Sequence, residues 1–163
     1  MIRPLTVDDA DELAALYVAN REFLAPFEPV RPDTFFTPAG QRERIELRRD
    51  DTRLFAILDN GAIAGTISLT NVVRGALQSA HTGYWIDNAR NGRGLATSAV
   101  HDIVEFAFGE IGLHRLEAGT LVDNLASQRV LEKNGFERFG LAHRFLLIAG
   151  EWRDHILFER IND

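Results

Sequence analysis

Apolar positions along the chain change period several times, and each change marks an element. Ile2 to Leu5 reads as a short strand. Thr6 then stands before Asp8, Asp9 and Asp11, a cap followed by acids at the positive end of a helix, with Leu13, Leu16 and Tyr17 recurring at helical spacing. Gln41 to Arg49 predicts a charge-rich helix with a solvated face. Arg53–Leu58 and Ala62–Thr70 flank Asp59-Asn60-Gly61, a strong hairpin signal, and the second strand alternates Ile63, Ile67 and Leu69 against Ala64, Thr66, Ser68 and Thr70. Val72 to Gly75 predicts a further turn, His81 to Asp87 a strand, and Leu95 to Phe108 a helix with Leu95, Ala99, Ile103 and Phe106 on one face. Leu113 to Val122 predicts a strand with Leu116, Ala118, Thr120 and Val122 on one side and Arg115, Glu117 and Gly119 on the other. Asp123-Asn124 can cap the next helix and Asn134-Gly135 can end it. Phe136–Ile148 and Trp152–Arg160 form two antiparallel strands joined near Gly150. The order β-α-α-β-β-β-α-β-α-β-β implies one α+β (α/β three-layer) domain over residues 1–163, a mixed sheet with helices on its faces.

One stretch breaks this regularity. Four of the five prolines (Pro26, Pro29, Pro32 and Pro38) fall together, interleaved with Phe23, Phe27, Phe35 and Phe36. Proline at this density opposes regular structure, and the aromatics argue against disorder. The segment is either a loop packed over the core or a lid over a substrate.

The strand-to-helix junction Asn91-Gly92-Arg93-Gly94-Leu95-Ala96-Thr97 carries the first chemical signal. Glycines there let the backbone approach a ligand, and a helix N-terminus offers unpaired N–H groups and a positive dipole end. A phosphate-bearing ligand fits such a junction.

Composition narrows the possibilities. The chain has no cysteine, which excludes a disulfide framework, a thiolate metal site and a cysteine nucleophile. A net charge of −6 disfavours nucleic acid as a partner. No apolar run approaches the roughly 20 residues of a membrane helix, and the N-terminus lacks the apolar region of a signal peptide. A cytoplasmic protein without membrane association is expected, as a monomer or homodimer. The five histidines, His81, His101, His114, His143 and His155, show no metal-ligand spacing, so no metal is expected. His81 is set apart by its place near the glycine segment.

Three phosphate-holding patterns compete for that segment. A P-loop requires a Lys after the last glycine, and none follows Gly94. A dinucleotide fold requires an early Gly-x-Gly-x-x-Gly, whereas Thr97 takes the third glycine position and the motif lies past mid-chain. The third pattern is Gln/Arg-x-x-Gly-x-Gly/Ala, matched by Asn91-Gly92-Arg93-Gly94-Leu95-Ala96 with Asn91 in place of Gln/Arg. It is followed by Asn124-Leu125-Ala126-Ser127-Gln128-Arg129-Val130-Leu131-Glu132-Lys133-Asn134-Gly135-Phe136. These two elements, in this order, resemble the GNAT superfamily of N-acetyltransferases. The flanks Asn20–Arg31, Asn71–Gly75 and Leu146–His155 resemble its RimJ/RimL-type ribosomal-protein-alanine N-acetyltransferases, over nearly the whole chain.

The resemblance implies a GNAT fold with a mixed, mostly antiparallel sheet, and acetyl-CoA as cosubstrate. It also implies acetyl transfer to the α-amine of a protein N-terminus, such as the N-terminal alanine of a ribosomal protein. Two rivals stand beside that acceptor: a small amine (an amino acid, polyamine or drug), and a non-catalytic acyl-CoA-binding module. Trp85, Ile86, Asn91 to Thr97, Asn124 and Ser127 are then expected at the cofactor, with the Ile86 N–H at the oxyanion. Phe27, Glu28 and Tyr84 are expected at the acceptor. Ser127 would donate to the departing sulfur, and Asn124 would both cap its helix and touch the pantetheine arm. Glu117 is the expected base, against the alternative that it pairs with Arg115 or Arg144; Glu28 is the second candidate base. An α-amine with pKa near 8 is roughly one quarter neutral at about pH 7.5, whereas a lysine amine is only about 0.1% neutral. The α-amine therefore needs only a weak base, and with no cysteine available, direct attack in a ternary complex is expected.

Overall fold

The computed structural model describes all residues 1–163 and contains one seven-stranded sheet in the order β1-β2-β3-β4-β5-β7-β6. In chain order the elements are β1 (Ile2–Pro4), α1 (Ala10–Ala19), α2 (Arg21–Leu24), α3 (Pro38–Glu46), β2 (Arg53–Asp59), β3 (Ala62–Val73), β4 (Ser79–Ile86), α4 (Leu95–Glu105), β5 (Arg115–Leu121), α5 (Leu125–Lys133), β6 (Glu137–Ile148) and β7 (Glu151–Ile161). Every neighbouring pair of strands is antiparallel except β4–β5. The mixed, mostly antiparallel sheet with helices on its faces, which the resemblance implies, is present. No helix is long and apolar enough to cross a membrane.

Two cores flank the sheet. The larger one joins Ile67, Leu69, Leu116 and Phe158 of the strands to Ala99, Val100, Ile103 and Val104 of α4 and to Leu131 of α5. The smaller one joins Leu13 and Tyr17 of α1 and Ile45 of α3 to Ala56 and Ile63. Because both faces are covered, β3 is buried at consecutive positions from Ile63 to Ile67, so its alternation does not separate core from solvent.

Local signals account for most boundaries. Asn60 and Gly61 both take positive φ (50° and 85°), as the tight hairpin between β2 and β3 requires. The Asp9 carboxylate accepts from the Thr6 N–H at 2.8 Å and from Arg3 at 2.7 and 2.8 Å, which ties the start of the first helical segment to β1.

Four expectations need correction. The α3 helix begins at Pro38 rather than Gln41, because Thr37 caps it by accepting from the Gly40 N–H at 3.0 Å and proline suits the first helical position. It ends at Glu46, and Gln41 and Ile45 are buried rather than solvated. The chain does not turn at Val72: β3 runs on to Val73 across a bulge at Asn71, whose φ is 51°. The β5 strand stops at Leu121, so Val122 is exposed instead of continuing the buried face. The proline-rich segment is built of short 3-10 turns, with Phe23, Phe35 and Phe36 packed on the smaller core.

Candidate active site

The one parallel pairing creates the site. β4 and β5 are in register only at Ser79–Arg115, Ala80–Leu116 and His81–Glu117, after which the strands part. From Thr82 to Ile86, β4 therefore keeps β3 on one side and has no strand on the other. The Asp87 N–H donates to the Ala64 carbonyl of β3 at 2.7 Å. In a planar trans peptide the C=O opposes the N–H, so the Ile86 carbonyl points away from β3, into the gap. Strand alternation turns the remaining backbone groups of Ile86, and those of Tyr84, the same way. Two hydroxyls beyond the parting point, Thr82 on β4 and Thr120 on β5, are buried without any hydrogen-bond partner. A polar ligand entering as a surrogate strand would meet the unpaired backbone groups of Tyr84 and Ile86.

A cleft of about 610 Å³ opens from this gap. The segment Asn91 to Ala96 forms its floor at the start of α4. Gly92 and Gly94 have φ of 75° and 79°, and apart from their immediate chain neighbours no protein atom lies within 4 Å of where a Cβ would sit on either. No side chain caps this helix, and the first N–H it takes up is that of Ser98, bonded to the Gly94 carbonyl at 3.0 Å. The N–H groups of Leu95, Ala96 and Thr97 have no partner in the chain, so three donors and a helix dipole converge on one open spot. Arg90, Arg129 and Lys133 add positive charge to the same wall. The residues thus fit a diphosphate-bearing ligand with a polar, strand-like arm, as coenzyme A is.

Across the gap, α5 contributes a hydroxyl pair. Asn124 caps α5 by accepting from the Ser127 N–H at 3.2 Å, which fixes the first turn. The Ser127 hydroxyl then lies 2.8 Å from the Tyr84 hydroxyl. Burial pushes the Tyr84 phenol up to about 12, although its bond to Ser127 pulls the other way. Tyr84 is therefore a protonated donor over the whole neutral range.

Phe23, Leu24 and Phe27 form the remaining wall. The proline-rich loop is strapped to the β6–β7 turn by the Ala149 N–H donating to the Glu28 carbonyl at 2.9 Å. Burial raises the Glu28 carboxyl above the usual carboxylate range, against the opposing pull of Arg31 and Arg44.

The structure brings most of the expected residues together, with three exceptions. Arg93 stays in the glycine segment by its backbone only: its guanidinium reaches Asp59 at 2.7 and 3.2 Å, because the β2–β3 hairpin offers a carboxylate there. Glu28 stands one residue past Phe27 of the cleft wall and does not itself line the cleft. Glu117 lies off the cleft wall, in an ion-pair cluster. One carboxylate oxygen accepts from Arg115 at 2.6 Å and the other is 3.4 Å from His81 Nε2, while Arg115 also pairs with Glu159. Phe23, Leu24, Arg90, Ala126, Arg129, Val130 and Lys133 were not anticipated on the wall. The α5 members Ala126, Arg129, Val130 and Lys133 follow helical spacing and share one face.

A strand gap, an uncapped helix start and a hydroxyl pair together define an acyl-CoA-dependent transferase site. The family profile described as an acetyltransferase (GNAT) domain matches residues 1–137. The chain belongs to that family and is an N-acetyltransferase related to the ribosomal-protein acetyltransferases. It is 43% identical to the probable N-acetyltransferase YjcK of Bacillus subtilis, over 99% of this chain and 93% of that one. A ribosomal-protein-S5-alanine acetyltransferase from Vibrio fischeri superposes with a TM-score of 0.94 at 36% identity, covering 99% of this chain and 92% of the other. RimJ of Mycobacterium smegmatis, in complex with CoA-disulfide, superposes with a TM-score of 0.92 at 32% identity over 98% and 80% of the two chains.

Proposed function

We propose that residues 1–163 act as one domain that transfers the acetyl group of acetyl-CoA to the α-amine of a protein N-terminus in the cytoplasm. An N-terminal alanine of a ribosomal protein is the acceptor this reading favours. The observation that carries it is the continuity of the cleft. It runs from the open start of α4, past the Tyr84–Ser127 pair, to Phe27 on the strapped loop, so both substrates have a place at once. The kinship with an S5-alanine acetyltransferase over the whole chain supports the choice of an α-amine.

In this reading the N–H groups of Leu95, Ala96 and Thr97 hold the diphosphate, with Arg129 and Lys133 beside it. The unpaired backbone of Tyr84 and Ile86 aligns the pantetheine arm. The Ile86 N–H receives the negative charge that forms on the thioester oxygen as the amine attacks. Ser127 donates to the departing sulfur, and Tyr84 supports that hydroxyl from behind at 2.8 Å. Glu28 holds the incoming ammonium and takes its proton; a carboxyl raised by burial is a better base than an exposed one. Glu117, engaged on both oxygens, positions the sheet rather than moving a proton.

The test uses acetyl-CoA, a basic peptide beginning with alanine, and a panel of free amines. Mass spectrometry is expected to find a single acetyl group on the peptide α-amine. Turnover of free amines without any peptide product would replace the acceptor, and binding of acetyl-CoA without turnover on the full panel would replace the enzymatic reading.

A further inference from the structure

The gap between β4 and β5 is closed on one face of the sheet, where α4 and α5 pack over Ala80, Leu116 and Phe158. On the opposite face α1 and α3 cover β2 and β3, and the surface is bare from Gly83 on β4 to Gly140 on β6. A second substrate therefore has one open side from which to reach the gap. The strand register gives the make-up of that side. His81 pairs with Glu117, Glu117 with Glu159 and Glu159 with Glu137, so four side chains form one row across β4, β5, β7 and β6. One step toward the open end of the gap the row is Gly83, Gly119, Leu157 and, past the bulge at Phe139, Gly140. Chain neighbours aside, nothing lies within 4 Å of a Cβ built on Gly83, and only His155 and Leu157 of β7 lie that close to one on Gly119. Trp85, two residues past Gly83 on the same face, lines the cleft, so this surface runs into the site. Its charge is one-sided. Three glutamates stand directly opposite one another, which costs stability. One guanidinium stands against them: Arg115 donates to Glu117 at 2.6 Å, pairs with Glu159 and rests on the Phe139 ring, 5.0 Å from its centroid. Arg153, further along β7, is turned to Asp123 at 3.8 Å. Glu137, exposed at the outer end of the row, takes part in none of the chain's ion pairs.

We propose that this bare face docks the acceptor polypeptide behind its N-terminus, and that the Glu117–Glu159–Glu137 row selects a lysine or arginine there. This rests on the acetyl-transfer reading above and deepens it by naming the part of the acceptor, beyond its amine, that is recognised. Continuity with the cleft favours the acceptor as the occupant, and three carboxylates against one guanidinium favour a cationic stretch of it. The exposed glycines let an extended backbone lie close to the sheet, with the carboxylates along one bank. Neighbouring strands lie about 4.8 Å apart and an extended chain advances about 3.3 Å per residue. From an amine held at the gap, about the third to fifth acceptor residues then pass Glu159 on β7 and Glu137 on β6. A free amino acid or a simple amine ends before it reaches them.

The experiment measures kcat/KM of the wild type and of Glu137→Lys on alaninamide and on alanyl hexapeptides that carry Lys or Glu at position 3, 4 or 5. At low ionic strength the wild type is expected to favour the Lys peptide over its Glu counterpart by about five- to twenty-fold at one or more of these positions, chiefly through KM. Added salt should narrow that ratio. Glu137→Lys is expected to shrink the ratio by about five-fold or more, in part by raising turnover of the Glu peptide. A gain on that peptide also shows that the variant is folded. Equal values for Lys and Glu at all three positions, or a preference for Glu, overturn the proposal while leaving acetyl transfer standing. So do a ratio that Glu137→Lys leaves unchanged, a loss of the same size on every acceptor including alaninamide, and turnover of alaninamide with no peptide product. A wild type that elutes as a dimer and is indifferent to peptide charge assigns the face to a second copy instead. A wild type that acetylates neither alaninamide nor any peptide removes the acetyl-transfer reading as well.

Discussion

Replacing Ser127 by alanine isolates the step in which the sulfur leaves. The hydroxyl lies 2.8 Å from the Tyr84 hydroxyl and at the head of α5, where the Asn124 cap holds the backbone. The cap bonds to the Ser127 N–H, so it survives the substitution. Tyr84 also keeps the Ser127 carbonyl at 3.2 Å as an acceptor, so it is not orphaned. The stability loss is therefore below about 1 kcal/mol. The catalytic loss is larger. A donor aimed at charge that appears only in the transition state is worth about 100- to 1000-fold when that charge is on an alkoxide. A thiolate is a weaker base, with a parent pKa of about 8.5, and gains less from one hydrogen bond. A fall in kcat of about 10- to 100-fold follows, equivalent to about 1.4 to 2.7 kcal/mol. Thiol release at saturating acetyl-CoA gives kcat, and a melting curve gives stability. Tyr84→Phe should cost less than Ser127→Ala, and the double variant little more than Ser127→Ala alone, since the two hydroxyls act in series. A kcat within about two-fold of wild type, or a loss tracking a large drop in Tm, would refute the role of the pair.

Removing both cations of α5 (Arg129→Ala with Lys133→Ala) should raise KM for acetyl-CoA by about ten-fold, leave kcat near wild type and flatten the salt dependence of KM, as read from initial rates at several ionic strengths. Glu117→Gln should lower stability by about 1 kcal/mol, because Arg115 and His81 lose a charged partner, while the pH profile of kcat keeps its shape; a displaced acidic limb would return Glu117 to the chemistry. Tyr84, pushed up to about 12, binds its proton more tightly in the folded state. Its contribution is intact below the usual tyrosine pKa of about 10 and is lost as pH rises from there, so Tyr84→Phe should soften alkaline unfolding in melts across that range. Asp9 shows the opposite sign: its bond to Arg3, ahead of all other influences, holds its pKa below the usual carboxylate value. That stability is present above the usual carboxylate range and disappears as pH falls through the lowered value, so Asp9→Asn should flatten the acid limb of the Tm profile.

Local chemistry was legible in the sequence, and pairing at a distance was not. The Asn60-Gly61 hairpin, the glycine segment at the start of α4 and the Asn124 cap each depend on neighbours within a few positions, and each stands where the sequence puts it. Pro38 misleads only when it is counted with the prolines before it; read with Thr37 it is a helix start. The stripe Ala126, Arg129, Val130 and Lys133 was available from helical spacing, although nothing in that spacing says what it faces. Glu117 is legible only in part. Its pairing with Arg115, two residues away on the same strand, was one of the alternatives the sequence offered, whereas His81 comes from β4, in the last residue pair before the strands part. The parting itself has no local signature, since it consists of hydrogen bonds that β4 and β5 do not make. That absence turns a glycine-rich helix start, which alone would hold any anion, into one end of a cleft of about 610 Å³ that continues to Phe27. It also places Tyr84 against Ser127, two residues 43 positions apart, on the wall of that cleft.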